Sequence, residues 1–234
     1  YAVDTLRPTA TIVVADTALA AGETSTVTIT FSEAVVGVDL ADFTVANGTL
    51  SNLATSDNVI YTATLTPAAD TQDTSNLITL DNSGYLDTAG NTGAAPVNSN
   101  NFAIDTLRPT ASITVADAAL AAGETSTVTI TFNEAVSGLT TADLSVENGA
   151  LNNLTSSDGG ITWTATLTPT ADVEDTGNLV TLDNTGVVDA AGNAGVGTTD
   201  SNNYAVDTLR PTATIVVADT ALAAGENSTV TITF

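Results

Sequence analysis

Cysteine, methionine, histidine and lysine are all missing from these 234 residues, and only three arginines carry positive charge. Without cysteine the chain has no disulfide to staple it in an oxidising compartment, which leaves metal ions as the available substitute. Without cysteine or histidine, zinc and copper lose their preferred ligands. The same absences remove the usual general base and the thiol nucleophile, and no glycine-rich phosphate loop is present. Paired carboxylates could still hydrolyse a glycoside, but aromatics make up only 4% of the chain, too few for a sugar platform. The sequence therefore predicts no enzyme and no small-molecule substrate. No window is long and apolar enough to span a membrane.

Against the three arginines stand 27 acidic residues, a formal net charge of −24. That balance excludes nucleic acid, whose binding needs a basic face, and direct contact with anionic membrane surfaces. Two uses for so many carboxylates remain. They can keep an extracellular chain soluble, or they can converge on a hard cation such as calcium.

What the chain does have is a repeat. Asp-Thr-Leu-Arg-Pro-Thr-Ala begins at Asp4, Asp105 and Asp207, spacings of 101 and 102 residues. All three arginines, Arg7, Arg108 and Arg210, lie inside these hinges. A fixed period is read before any motif, and about 100 residues suffice to bury a core. The expected layout is the last strand of a preceding module at 1–3, module one at 4–104, module two at 105–206, and two strands of a third at 207–234.

Within a module the pattern is that of strands. Residues 9–15 form a β-rich run, and 16–23 read as an Ala/Gly turn region. In 25–31, Val27, Ile29 and Phe31 alternate with Thr26, Thr28 and Thr30, the period of a sheet with one buried face. Phe43-Thr44-Val45 resumes the alternation before a tight turn at Asn47-Gly48. Residues 60–66 repeat it, and Pro67 stops it. Residues 68–76 read as acidic and irregular, 77–80 as a strand, Asp87-Thr88-Ala89-Gly90-Asn91 as a turn, and 101–104 as the closing strand. Module two follows the same plan, with one residue inserted near Gly159-Gly160 and Trp163 where Tyr61 stood. No helical period persists, so short strands separated by turns predict an all-β sandwich.

The hinge, the Phe31-Ser-Glu-Ala-Val35 segment (Phe132-Asn-Glu-Ala-Val136) and the Asp87-to-Asn91 turn (Asp189 to Asn193) together resemble the bacterial immunoglobulin-like extender repeats of giant calcium-dependent repeats-in-toxin adhesins, including an ice-binding one. The resemblance implies tandem immunoglobulin-like Greek-key sandwiches of about seven strands, set end to end, with calcium stiffening the junctions. It further implies an extracellular, cell-surface stalk whose partners are the neighbouring modules of the same chain. The sequence departs from antibody-type domains, which have a cysteine pair and a tryptophan on the third strand.

In a Greek-key sandwich the incoming hinge lies at the same end as the loops after the second and sixth strands. Calcium takes six to eight oxygens, and the first module would gather Asp4, Glu33, Asp42, Asp87 and Asn91 there. The second would gather Asp105, Glu134, Asp143, Asp189 and Asn193, and Asp207 would begin a third set. At the opposite end, Asp16, Asp70 and Asp73, with Asp117, Asp172 and Asp175, would approach the departing hinge. The arginines are expected to pair with carboxylates nearby. The Pro after each Arg fixes its own backbone angle and restricts its neighbour, which predicts little slack at the junction. An alternative function is surface, sugar or ice binding through the outward rows Thr26, Thr28, Thr30 and Thr62, Thr64, Thr66; threonine is also simply a good strand residue on a solvent face.

The last segment, 207–234, matches 4–31 at every position but one, Asn227 for Thr24. Two strands are marginal in water, so Val230, Ile232 and Phe234 are expected to be covered by a neighbouring chain. The chain opens on Tyr rather than Met and reads as a window onto a longer array.

Overall fold

A computed structural model describes residues 3–234, so the segment 1–3 lies largely outside the described residues. By its contacts the chain falls into two compact units. The first runs to Thr110 and also takes Glu134–Gly138 and Thr185–Val196. The second comprises Ala111–Asn133, Leu139–Asn184 and Gly197–Phe234. The division by contacts thus falls at 110–111, and two loops of the second repeat group with the first unit.

In the first unit the alternating strand Ser25–Phe31 lies between Ala10–Val14 and Ile60–Pro67, and Gly48–Thr55 closes a four-stranded antiparallel sheet. Val27, Ile29 and Phe31 are buried, whereas Thr26 and Thr30 are exposed. The register sets Ile29 beside Tyr61 and Thr28 beside Thr62, so the two faces stay sorted across the strands. Two three-stranded sheets, Val97–Asn98 with Ile78–Leu80 and Phe43–Val45, and Ala18–Ala20 with Phe102–Asp105 and Gln72–Asn76, and the short pair Val35–Val36 with Leu86–Asp87 complete the unit. Their inward side chains, among them Phe43, Ile78, Leu80, Phe102 and Ile104, share one core with Ile12, Val14, Val27, Ile29, Phe31 and Leu65. Each such side chain stabilises the fold by about 1.5–3 kcal/mol when fully buried. Phe31 anchors this core through edge-on contacts with Tyr61 and Tyr85, ring centroids 5.6 and 4.9 Å away.

The second unit repeats the plan, with Ala111–Val115, Ser126–Phe132, Thr162–Pro169 and Gly149–Ser156 in one sheet. Trp163 stands opposite Ile130 as Tyr61 stands opposite Ile29. Tyr204 replaces Phe102 and is fully buried, its hydroxyl donating to the Glu147 carbonyl. Burial, followed by the Glu147 charge, pushes that hydroxyl up to about 12. The fold is all-β, as the alternation predicts, and its only helical pieces among the described residues are short 3-10 turns.

Three segments differ from the sequence reading. Residues 68–76 are not irregular throughout, because Gln72–Asn76 pairs with the closing strand Phe102–Asp105. The Ala/Gly region contains a strand, Ala18–Ala20, parallel to Ala103–Asp105. Gly48–Thr55 is a full strand, hidden in the sequence by a register shift between Ser51 and Ala54 and by Asn52 at φ 54°.

Residues 207–234 do form a hairpin, Thr214–Val217 with Val230–Thr233. Both strands are exposed along their whole length, with Ile215 at 67% and Ile232 at 54% exposure, and Phe234 just beyond them is 89% exposed. No segment among the described residues covers this apolar face.

Candidate metal centre

Asp87 opens a five-residue turn that its own carboxylate organises. Its Oδ1 accepts the amides of Ala89 and Asn91, both at 2.8 Å, and its Oδ2 accepts the Asn91 side-chain amide at 2.8 Å. Gly90 sits at φ 93°, a conformation that side-chain-bearing residues rarely adopt. The Asn91 Nδ2 also reaches the carbonyls of Asp4 (3.3 Å) and Leu6 (3.2 Å). One turn thereby holds both its own acid and the incoming hinge. Glu33 arrives from the other side, directly after Ser25–Phe31, where Ser32 is tied to Thr9 in both directions.

The outcome is a triad. One carboxylate oxygen each from Asp4, Glu33 and Asp87 lie within 4.8 Å of one another. Asp105, Glu134 and Asp189 form the same triad one repeat later, again within 4.8 Å. There Asn193 repeats the bracing: its backbone amide donates to Asp189 Oδ1 at 2.8 Å, and its Nδ2 donates to Asp189 Oδ2 at 2.7 Å, Asp105 O at 2.9 Å and Leu107 O at 3.3 Å. All three members of this second triad belong to the first compact unit.

Each triad also contains an oxygen with nothing to bind. Glu33 Oε1 and Asp105 Oδ1 are buried and have no hydrogen-bond partner, which is unfavourable for a polar atom and worse for a charged one. Gln72 fixes the other oxygen of Asp105 at 2.9 Å, so the orphaned one is held in place. Burial, then the charges of Asp87 and Asp4, raise the Glu33 carboxyl above its ordinary value. Asp87 is held below its own ordinary value, chiefly by the Asn91 side chain against the opposing effect of burial.

A hard cation fits this donor set. Calcium binds oxygen at about 2.3–2.6 Å, so two oxygens on one ion can be no more than roughly 5 Å apart. The triads meet that limit, supply only oxygen, and carry the negative charge that desolvation and mutual repulsion disfavour without a counter-ion.

The remaining candidates are placed elsewhere. Asp42 and Asp143 each close a capping box on a 3-10 turn, with Asp42 Oδ2 accepting the Asp39 amide and Asp143 Oδ2 the Thr140 amide, both at 2.8 Å. Asp39 and Thr140 three positions earlier carried the sequence signal for that arrangement. Asn91 and Asn193 turn their amide nitrogens toward the acids and act as braces. Asp16 and Asp117 cap the amides of Ala18 and Ala119. Asp73 and Asp175 bind the side chains of Asn47 and Asn148. Asp70 and Asp172 sit at φ 51° and 60° on the walls of two shallow grooves. The far-end acids thus form no triad among the described residues. Asp207 is exposed at the end of the strand Tyr204–Asp207.

Two features escaped the sequence. Gln72 as the clamp on Asp105 depends on the unforeseen strand Gln72–Asn76. Two of the arginines also take different partners from the carboxylates expected. Arg7 donates to the carbonyl of Thr92 at 3.0 Å and to its hydroxyl, and Arg108 donates to the Ala194 carbonyl at 2.7 Å.

A family model described as a bacterial Ig-like domain matches residues 4–104 and 105–206. A search of curated proteins finds no match. Among solved structures, the chain is similar to the adhesin FdeC of Escherichia coli at 15% identity, covering 96% of this chain and 72% of that one, with a TM-score of 0.37. It is similar to the adhesin InvE of Yersinia pseudotuberculosis at 19% identity, covering 82% of this chain and 58% of that one, with a TM-score of 0.34. No helix among the described residues is long and apolar enough to cross a membrane.

Proposed function

Because the chain belongs to the bacterial Ig-like domain family, we propose that it is a non-enzymatic structural segment of an extracellular bacterial adhesin, a stalk piece that calcium stiffens where repeats join. The reading rests on one observation. The same acid triad, with a buried orphaned oxygen, occurs at the two hinges, beginning at Asp4 and Asp105, that meet the loops of the repeat they lead into. Asp4, Glu33 and Asp87 would hold one ion, and Asp105, Glu134 and Asp189 a second. Bound calcium would supply the positive charge that lets three carboxylates share one place, tying a hinge residue to two loops that are far apart in sequence. That FdeC and InvE are adhesins agrees with this reading without carrying it.

Calorimetric titration of calcium chloride into chelator-treated protein tests the ligand assignment. The triads predict two ions per chain and their loss in a Glu33→Gln, Glu134→Gln double variant. Equal heats from wild type and double variant would refute the assignment.

A further inference from the structure

Asn193 does more than brace its own turn. Its Oδ1 accepts the backbone amide of Ala21, 172 positions away in the sequence, at 2.7 Å. Ala21 belongs to the first repeat's tight turn, where Gly22 sits at φ 86°, Glu23 N donates to Ala20 O, and Glu23 Oε2 accepts the Ala20 amide. Asn193 is 3% exposed, so each of its bonds is made away from water.

The amide has only one workable orientation. Its nitrogen faces three acceptors, Asp189 Oδ2, Asp105 O and Leu107 O, and its oxygen faces one donor, Ala21 N. Reversing it would set an oxygen against three oxygens and a nitrogen against an N–H, so the network itself fixes the assignment.

We propose that Asn193 is a positioning residue that couples the ion site of Asp105, Glu134 and Asp189 to the seating of the Ala21 turn. The inference rests on the calcium reading above and adds the route by which the site acts on the first repeat. Asp105 and Asp189 are both ligands in that reading, and both are held by the one amide that holds Ala21. Without an ion the three carboxylates repel one another. Any shift of Asp105 or Asp189 then displaces the amide group and releases Ala21. With an ion the acids are drawn together, the amide is fixed, and Ala21 keeps its acceptor. Asn91 makes the equivalent bonds to Asp87, Asp4 and Leu6, so the brace is a property of the repeat.

Amide hydrogen exchange, read by NMR on the intact chain, tests the coupling. Exchange at Ala21 is expected to slow about five- to tenfold between chelator and saturating calcium chloride, the scale of one hydrogen bond closing. Ala122, in the equivalent turn of the second repeat, faces no such asparagine among the described residues and is expected to respond far less. Asn193→Ala should make Ala21 exchange fast in both buffers. Asn91→Ala, which removes the matching brace at the other triad, should leave the Ala21 response intact. A purely structural role for Asn193 would change exchange across the unit, not at Ala21 selectively. If calorimetry shows no calcium binding, the calcium reading falls and the coupling with it. If calcium binds while wild-type Ala21 exchange ignores it, the coupling alone is overturned, whether or not Asn193→Ala folds.

Discussion

Calcium is expected to raise the melting temperature of this chain by tens of degrees, and a chelator to reverse the rise. An ion present at 100 times its dissociation constant stabilises the folded form by about 2.7 kcal/mol. For a domain of about 100 residues, each kcal/mol moves the midpoint by roughly 4–8 °C. One filled triad should therefore contribute about 10–20 °C. The effect is large because the apo state starts at a disadvantage: Glu33 Oε1 and Asp105 Oδ1 are buried without partners. Differential scanning calorimetry in calcium and in chelator measures it, and coincident midpoints would contradict it. Magnesium should substitute poorly, since it demands tighter, near-ideal octahedral geometry at about 2.0–2.1 Å.

The second large effect is a contrast between two acids. Asp189 is 5% exposed and receives both the backbone and side-chain amides of Asn193. Asp189→Ala removes two charge-assisted bonds and strands the buried Asn193 backbone amide, while Asn193 Nδ2 keeps the carbonyls of Asp105 and Leu107. The change should cost about 3 kcal/mol even without calcium. Glu33 should behave in the opposite way. Its folded-state pKa is raised, by burial first and then by Asp87 and Asp4. The calcium-free fold is therefore favoured while Glu33 is protonated, and stability is lost as pH climbs above its ordinary value of 4.5. Glu33→Gln should melt higher than wild type in chelator at neutral pH, match it more closely in acid, and gain less from calcium. Urea unfolding across pH checks both variants. A Glu33→Gln protein less stable than wild type in chelator would show that this acid is held by something other than a missing cation.

How much of this was legible in the sequence depends on the range of the interaction. Val27, Ile29 and Phe31 alternate with threonine, so their burial follows from local pattern alone. The triads were readable because the hinge and two loops must share one end of a Greek key, which brings Asp4, Glu33 and Asp87 together from topology. Asp42 was drawn into that set by the same reasoning, yet a local bond to the Asp39 amide claims its carboxylate. The strand Gln72–Asn76 was missed because its residues, Gln-Asp-Thr-Ser-Asn, have no apolar alternation. Its stability comes from pairing with Phe102–Asp105 and from Asn76, whose Nδ2 donates to the Phe102 carbonyl at 3.1 Å. Ala18–Ala20 likewise exists only through a partner some 85 residues away. Contacts of that length leave little trace in local pattern, and the clamp of Gln72 on Asp105 was invisible for the same reason.

The outward threonines have a simpler physical explanation than ligand binding. Thr26 faces Thr64 and Thr28 faces Thr62 on neighbouring strands, the arrangement expected of any solvated sheet face rich in β-branched residues. The triads, rather than these threonine rows, carry the functional reading.

Small-angle scattering in calcium and in chelator is the most direct test of a calcium-stiffened stalk. The account predicts an extended particle of nearly fixed dimensions in calcium, and a broader distribution of maximum dimensions once the ion is removed and the hinge at Asp105 loosens. Identical scattering in the two buffers, or a compact side-by-side particle in calcium, would contradict it.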